Sequence, residues 1–126
     1  PRYKLELYRR FAGLDYGEKD DLLDEIIDRF GEPPEEVEVL WRVACLRALC
    51  RLLHIRGISV KPGELRITFA ENAAIDPTAL MQLISEQQQY MNFKSGVQAQ
   101  LIFRTVKLKT DSLTWLEKNL PRLAFD

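Results

Sequence analysis

Along residues 3–12, Leu5, Tyr8, Phe11 and Ala12 recur three and four apart with Arg9 and Arg10 beside them. This is the spacing of one apolar stripe on a helix, and it runs out at Gly13. The spacing returns at 18–30, where Leu22, Leu23, Ile26, Ile27 and Phe30 line one side and acidic residues fill the first turn. Gly31 is placed as a left-handed C-cap. Pro33 and Pro34 forbid continuation and suit the first turn of a following helix, where the missing N–H has no intrahelical acceptor to lose. That third helix is expected over 35–53. Its apolar positions, from Val37 through Trp41, Ala44, Cys45 and Ala48 to Leu53, occupy most of the circumference, so it should be covered on more than one side.

From Ile55 the runs shorten and become richer in β-branched residues. Strands are expected over 55–61 and 64–70, joined at Pro62-Gly63. Proline presets the first φ of a type II turn and glycine accepts the positive second one. Leu65, Ile67 and Phe69 alternate with Arg66 and Thr68, giving the second strand one buried and one wet face. Asp76-Pro77 reads as N-cap and first helical residue of a helix reaching about Gln88, with Leu80, Leu83, Ile84 and Gln87 along one side. A second hairpin is expected over 89–106, turning near Lys94-Ser95-Gly96. Thr110 or Asp111 then caps a last helix that carries Leu113, Leu116 and Leu120 and closes at Pro121. The order is N-terminal helices followed by a ββαββα unit, which predicts an α+β fold with a small antiparallel sheet.

Composition changes this picture little. The 126 residues suit a single domain, and 46% hydrophobic with 29% charged residues describe a globular chain. Eighteen basic against nineteen acidic side chains leave a net charge of −1, so the molecule as a whole has no pull toward nucleic acid or an anionic membrane. The apolar tract 40–55 is interrupted by Arg42, Arg47 and Arg51 and is too short to span a bilayer. Two cysteines and no recognisable signal peptide point to a reducing, cytoplasmic setting. A start at Pro1 without methionine is expected of a piece excised from a longer polypeptide, and equally of a trimmed native start.

Candidate chemistry is sparse. There is no GxxxxGK[ST], no GxGxxG after a strand, no HExxH and no GxSxG. His54, the single histidine, shares a helical face with Cys50, but Cys45 lies about 140° away round the helix, so no metal site and no cofactor is expected. Cys45 and Cys50 are on different faces and read as small apolar residues rather than a disulfide. Trp41 and Trp115 lie on apolar faces and read as core. Arg9-Arg10, Arg47 with Arg51, Arg104, and Lys107 with Lys109 are small basic groups without the interleaved aromatics of a single-strand-binding surface.

The second helix holds the one uncompensated pattern. Asp21, Glu25, Asp28 and Glu32 fall on its outer side, with Asp24 at the margin. Carboxylates three and four apart repel by a few tenths of a kcal/mol, and those late in the helix oppose its dipole. Such a ridge either keeps the domain soluble or docks a basic partner. Facing water, it is a poor place for acid–base catalysis, which needs carboxylates of separated pKa in a cleft.

Residues 4–12 (Lys4-Leu5-Glu6-Leu7-Tyr8-Arg9-Arg10-Phe11-Ala12), the run Glu25-Ile26-Ile27-Asp28-Arg29-Phe30-Gly31-Glu32-Pro33-Pro34, then Leu53-His54-Ile55 and Phe69-Ala70-Glu71-Asn72 resemble, in order and spacing, the C-terminal domain of the bacterial transcription-repair coupling factor (Mfd, TRCF) family. The chain departs from the family pattern at His54, where glycine is usual, and at Pro33, where an apolar residue is common. The resemblance implies a non-catalytic, autoinhibitory domain in nucleotide excision repair, whose parent carries an ATP-driven DNA translocase elsewhere and reaches RNA polymerase and DNA through other domains. It implies docking on the parent's UvrB-like module, in competition with UvrA. Glu25 and Asp28 are then expected as central contacts, with Asp21 and Glu32 flanking, while Arg29 pairs with Glu25 or with the chain after Gly31. The alternative is an accessory nucleic-acid-binding domain that uses Arg9, Arg10, Arg47 and Arg51.

Overall fold

The computed structural model describes residues 2–125, which fall into two compact units divided between Leu49 and Cys50. In the first unit, α1 (Arg2–Ala12), a 3-10 turn (Tyr16–Glu18) and α2 (Lys19–Phe30) precede α3 (Glu35–Leu53), which runs past the division. The core of this unit is Leu7 and Phe11 of α1, Leu14 of the link after it, Leu22 and Ile26 of α2, and Val37, Ala44, Cys45 and Ala48 of α3. Trp41 is half-buried against that core rather than inside it, and its indole N–H donates to the Lys19 carbonyl at 3.0 Å. The Lys19 ammonium lies 5.7 Å from the Tyr16 ring centre and 6.0 Å from that of Trp41, a cation held over two aromatic faces.

The helix ends differ from expectation in ways that have local causes. The second helix begins one residue late, because 16–18 wind as a tighter turn whose Glu18 makes no side-chain cap. Gly31 has a positive φ of 79°, but its ψ of −167° puts it in an extended region open essentially to glycine alone, not in the left-handed helical cap expected. Its N–H still closes the helix on the Ile27 carbonyl at 2.8 Å. Pro34 sits before α3 rather than in it, with its carbonyl accepting from the N–H groups of Val37 and Glu38 at 3.0 Å each. Phe30, expected in the buried stripe, is 40% exposed, with the Arg29 guanidinium 5.0 Å from its ring centre. Leu40 and Leu52 of α3 are likewise exposed, so that helix is less covered than its composition suggests.

In the second unit, β1 (Ile55–Lys61), β2 (Glu64–Phe69), β3 (Met91–Lys94) and β4 (Gln100–Arg104) form one antiparallel sheet in the order β1-β2-β4-β3. Gly63 has φ 79°, the sign a type II turn requires. Leu65 pairs with Phe103 and Ile67 with Leu101, placing the alternating apolar residues of β2 and β4 on one buried face. That core is completed by Leu83 of α4 (Pro77–Glu86) and by Trp115 and Leu116 of α5 (Ser112–Asn119), with the Trp115 ring stacked on Phe103 at 4.8 Å. The opposite face carries a polar network beside Ile102. Arg66 donates to Gln100 at 3.2 Å and to Glu64 at 3.3 Å, and Gln100 donates to Thr68 at 3.2 Å.

The expected cap at Asp76 forms, accepting from the Thr78 N–H at 3.0 Å, and of the two residues offered for the last helix Asp111 is the cap, accepting from the Thr114 N–H at 2.7 Å. The first of these helices stops at Glu86, two residues short of expectation. The last α-helix ends at Asn119, just before Pro121 as expected, and a 3-10 turn (Leu120–Leu123) that was not expected follows and buries Leu120 and Leu123.

Candidate functional site

The acidic ridge is built on α2 because burying Leu22 and Ile26 turns the opposite side of the helix to solvent. Asp21, Asp24 and Asp28 are exposed there and Glu32 is exposed just beyond the helix, none with a side-chain hydrogen bond or ion pair to another described residue. Glu25 stands apart from them. It is only half-exposed, and both of its oxygens accept from the Arg10 guanidinium of α1, the Nη2 contact measuring 3.1 Å. The hydrogen-bonded Arg10 guanidinium holds the Glu25 carboxyl below its usual value, and Glu25 in turn raises that of Arg10. Arg29 approaches the same carboxylate at 3.8 Å and bonds Glu6 of α1 at 3.2 Å. Four alternating charges, Glu6, Arg29, Glu25 and Arg10, thus run across the α1–α2 contact.

Of the four residues expected to meet a partner, three present free carboxylates and one, Glu25, is already paired within the domain. Arg29 approaches Glu25 as expected, and its bond to Glu6 was not foreseen. The Arg10 contact was also missed. Its partners are fifteen residues apart on different helices, and only their opposite charge hinted at it.

Cys45 and Cys50 are both free thiols, and burial pushes the Cys50 thiol up to about 11, away from ligand or nucleophile chemistry. The His54 ring sits 2.9 Å from the Asn72 carbonyl. Among the described residues no three His, Cys, Asp or Glu side chains group to hold a metal ion, and no helix is long and apolar enough to cross a membrane. Of the arginines considered for nucleic acid, Arg9 and Arg47 are exposed, whereas Arg10 is neutralised by Glu25. The side chain of Lys107 lies outside the described residues.

His54 also explains a departure from the family pattern. It follows α3 directly with φ 56°, a left-handed conformation in which glycine is the least strained residue.

Comparison with known proteins agrees with this fold. The family model of the TRCF domain matches residues 1–80. The chain is 36% identical over 85 residues to the transcription-repair-coupling factor of Bacillus subtilis, a match covering 65% of this chain and 7% of that protein. It is 27% identical over 121 residues to that of Escherichia coli, covering 95% of this chain and 10% of that protein. It therefore spans a tenth or less of the length of these relatives. Among solved structures, the crystal structure of the C-terminal domain of transcription-repair coupling factor superposes with a TM-score of 0.72 at 21% identity, over 98% of this chain and 82% of that one. With the family model covering well over half of its residues, the chain belongs to the TRCF domain family.

Proposed function

We propose that this chain, acting as one C-terminal domain, is a non-catalytic autoinhibitory clasp: it docks on the UvrB-like module of its parent and masks the surface that recruits UvrA. Its release then couples arrival of the parent at a stalled RNA polymerase on DNA to excision repair. The observation that supports this is the solvent face of α2, where Asp21, Asp24, Asp28 and the following Glu32 stand without cation partners among the described residues. Such a row costs the isolated helix stability and gains from a basic surface.

Glu25 contributes differently from its neighbours. A basic side chain of the module would share it with Arg10 or displace Arg10, so Asp28 supplies the larger unspent attraction. Exposed ion pairs of about 0.2–1 kcal/mol each, screened by salt, suit a contact that must open. Tethering within one polypeptide keeps such a weak contact closed until it is released.

The test is a titration of the isolated UvrB-like module with this domain at low salt. Affinity should fall by about threefold to tenfold for Glu25→Ala/Asp28→Ala, in line with two exposed pairs. Unchanged affinity would sink the assignment.

A further inference from the structure

In the second unit a cleft of about 520 Å³ opens between the C-terminal end of α4, the end of β4 and the start of α5. Local hydrogen bonds hold it open. The Arg104 N–H donates to the Tyr90 carbonyl at 2.7 Å and the Arg104 side chain to the Gln89 carbonyl at 2.9 Å, which fixes the end of β4 against the turn after α4. The chain then arches through a 3-10 turn (Thr105–Lys107), and the Asp111 cap starts α5 so that its first turn forms the facing wall.

The cleft is lined by the stacked and largely buried pair Phe103 and Trp115, and its lining carries Lys109, Lys118 and Arg122 against a single carboxylate, Glu86. Arg122 spends its charge on that carboxylate, with contacts of 2.6 and 3.0 Å, and Gln82 adds a third bond at 3.2 Å. Arg122 and Gln82 hold the Glu86 carboxyl below its usual value, so it remains an anion and neutralises Arg122. The side chains of Lys109 and Lys118 are exposed and form no hydrogen bond or ion pair with another described residue, although the Lys118 charge also helps to hold Glu86 as an anion. The Thr110 hydroxyl adds a neutral donor between them along the chain.

We infer that this cleft is a binding site for a compact ligand that carries a phosphate or carboxylate group on a planar apolar body. Its volume falls in the range of small-molecule sites, about 300–1,000 Å³, and far exceeds what a bare inorganic anion fills. Exposed lysines outside any hydrogen bond or ion pair, beside aromatic lining, match both parts of such a ligand: charge-assisted hydrogen bonds orient the anionic group, and apolar contact holds the body. A nucleic-acid backbone would call for a basic stripe along a surface, and an extended acidic peptide for an open groove. A concave cleft with two exposed lysines fits neither as well. The site shares no residue with the α2 ridge and is independent of the docking role.

Phenyl phosphate is the probe for the phosphate form and benzoate for the carboxylate form, each titrated into the ¹⁵N-labelled 126-residue chain and followed by NMR. Saturable shifts are expected at the Trp115 indole N–H and the Thr110 and Lys118 amides, with a dissociation constant of about 1 mM or tighter for the better probe. Lys109→Ala/Lys118→Ala should weaken that binding by about tenfold or more. The control Lys61→Ala/Lys94→Ala removes the same charge elsewhere and should leave it unchanged. Four outcomes overturn the inference: no saturable shift with either probe, equal loss in the control, inorganic phosphate binding as tightly as phenyl phosphate, or an oligoglutamate peptide binding more tightly than both probes. Matched thermal melts of the two double variants show that any loss is not unfolding.

Discussion

Arg10 of α1 holds both carboxylate oxygens of Glu25 on α2, which turns the most central acid of an apparently repulsive ridge into an internal clasp between two helices. Arg29 and Glu6 extend the same alternation, so the α1–α2 contact is stitched by opposite charges at its solvent edge and by Leu7, Phe11, Leu22 and Ile26 beneath.

The pH dependence of that clasp has a definite sign. The folded state lowers the Glu25 carboxyl, so its contribution is fully present above the ordinary glutamate value of about 4.3. It is lost as pH falls through the lowered folded value. Urea denaturation of the native chain and Glu25→Gln across acidic pH should show the native chain ahead at neutral pH, with the gap closing below the ordinary glutamate range. Both side chains are over 40% exposed, so the gap should also shrink in high salt. A gap that widens on acidification would contradict the assignment.

Glu25 and Asp28 should separate in their effects. Asp28→Ala touches no internal pair among the described residues, so it should leave the denaturation midpoint near that of the native chain. Its affinity for the UvrB-like module should fall by about two- to fivefold. Glu25→Ala should move both readouts. Loss of folding stability in Asp28→Ala without loss of binding would reverse the roles given to the two residues.

At His54 the left-handed backbone predicts an order of stability. His54→Ala and His54→Gly both remove the ring contact with Asn72, and only the glycine relieves the positive φ of 56°. The glycine variant should be the more stable of the two by about 1 kcal/mol in chemical denaturation. The reverse order would mean that the φ at this helix end carries no strain.

Gly31 and Gly17 form a second contrast. A Cβ would meet nothing within 4 Å at either position, so steric crowding does not distinguish them. At Gly31, with φ 79° and ψ −167°, alanine is expected to cost about 1–3 kcal/mol through backbone strain alone. At Gly17, where φ is not positive, alanine should stabilise by up to about 1 kcal/mol by restricting the unfolded chain. Equal midpoints for the two variants would refute the role given to the Gly31 backbone.

What the sequence determined by itself is local. Apolar spacing of three and four placed α1, α2 and α3 to within a residue or so, and alternation at Leu65, Ile67 and Phe69 named the buried face of β2. Pro62-Gly63 set the turn, Asp76 one cap, and Thr110 or Asp111 the other, which the structure gives to Asp111, because each of these depends on a few neighbouring residues and on backbone sterics. The family, too, was legible in short segments. The tertiary structure alone decided which side chains meet. Phe30 and Leu52 share the spacing of buried residues and yet are exposed, because burial depends on what another element brings to that face. The ridge likewise looked uniform along the chain, since charge spacing says nothing of a cation fifteen residues away. Only the packing of α1 on α2 brought Arg10 to Glu25 and left Asp28 free, and only the arch between β4 and α5 opened a cleft beside Lys109 and Lys118.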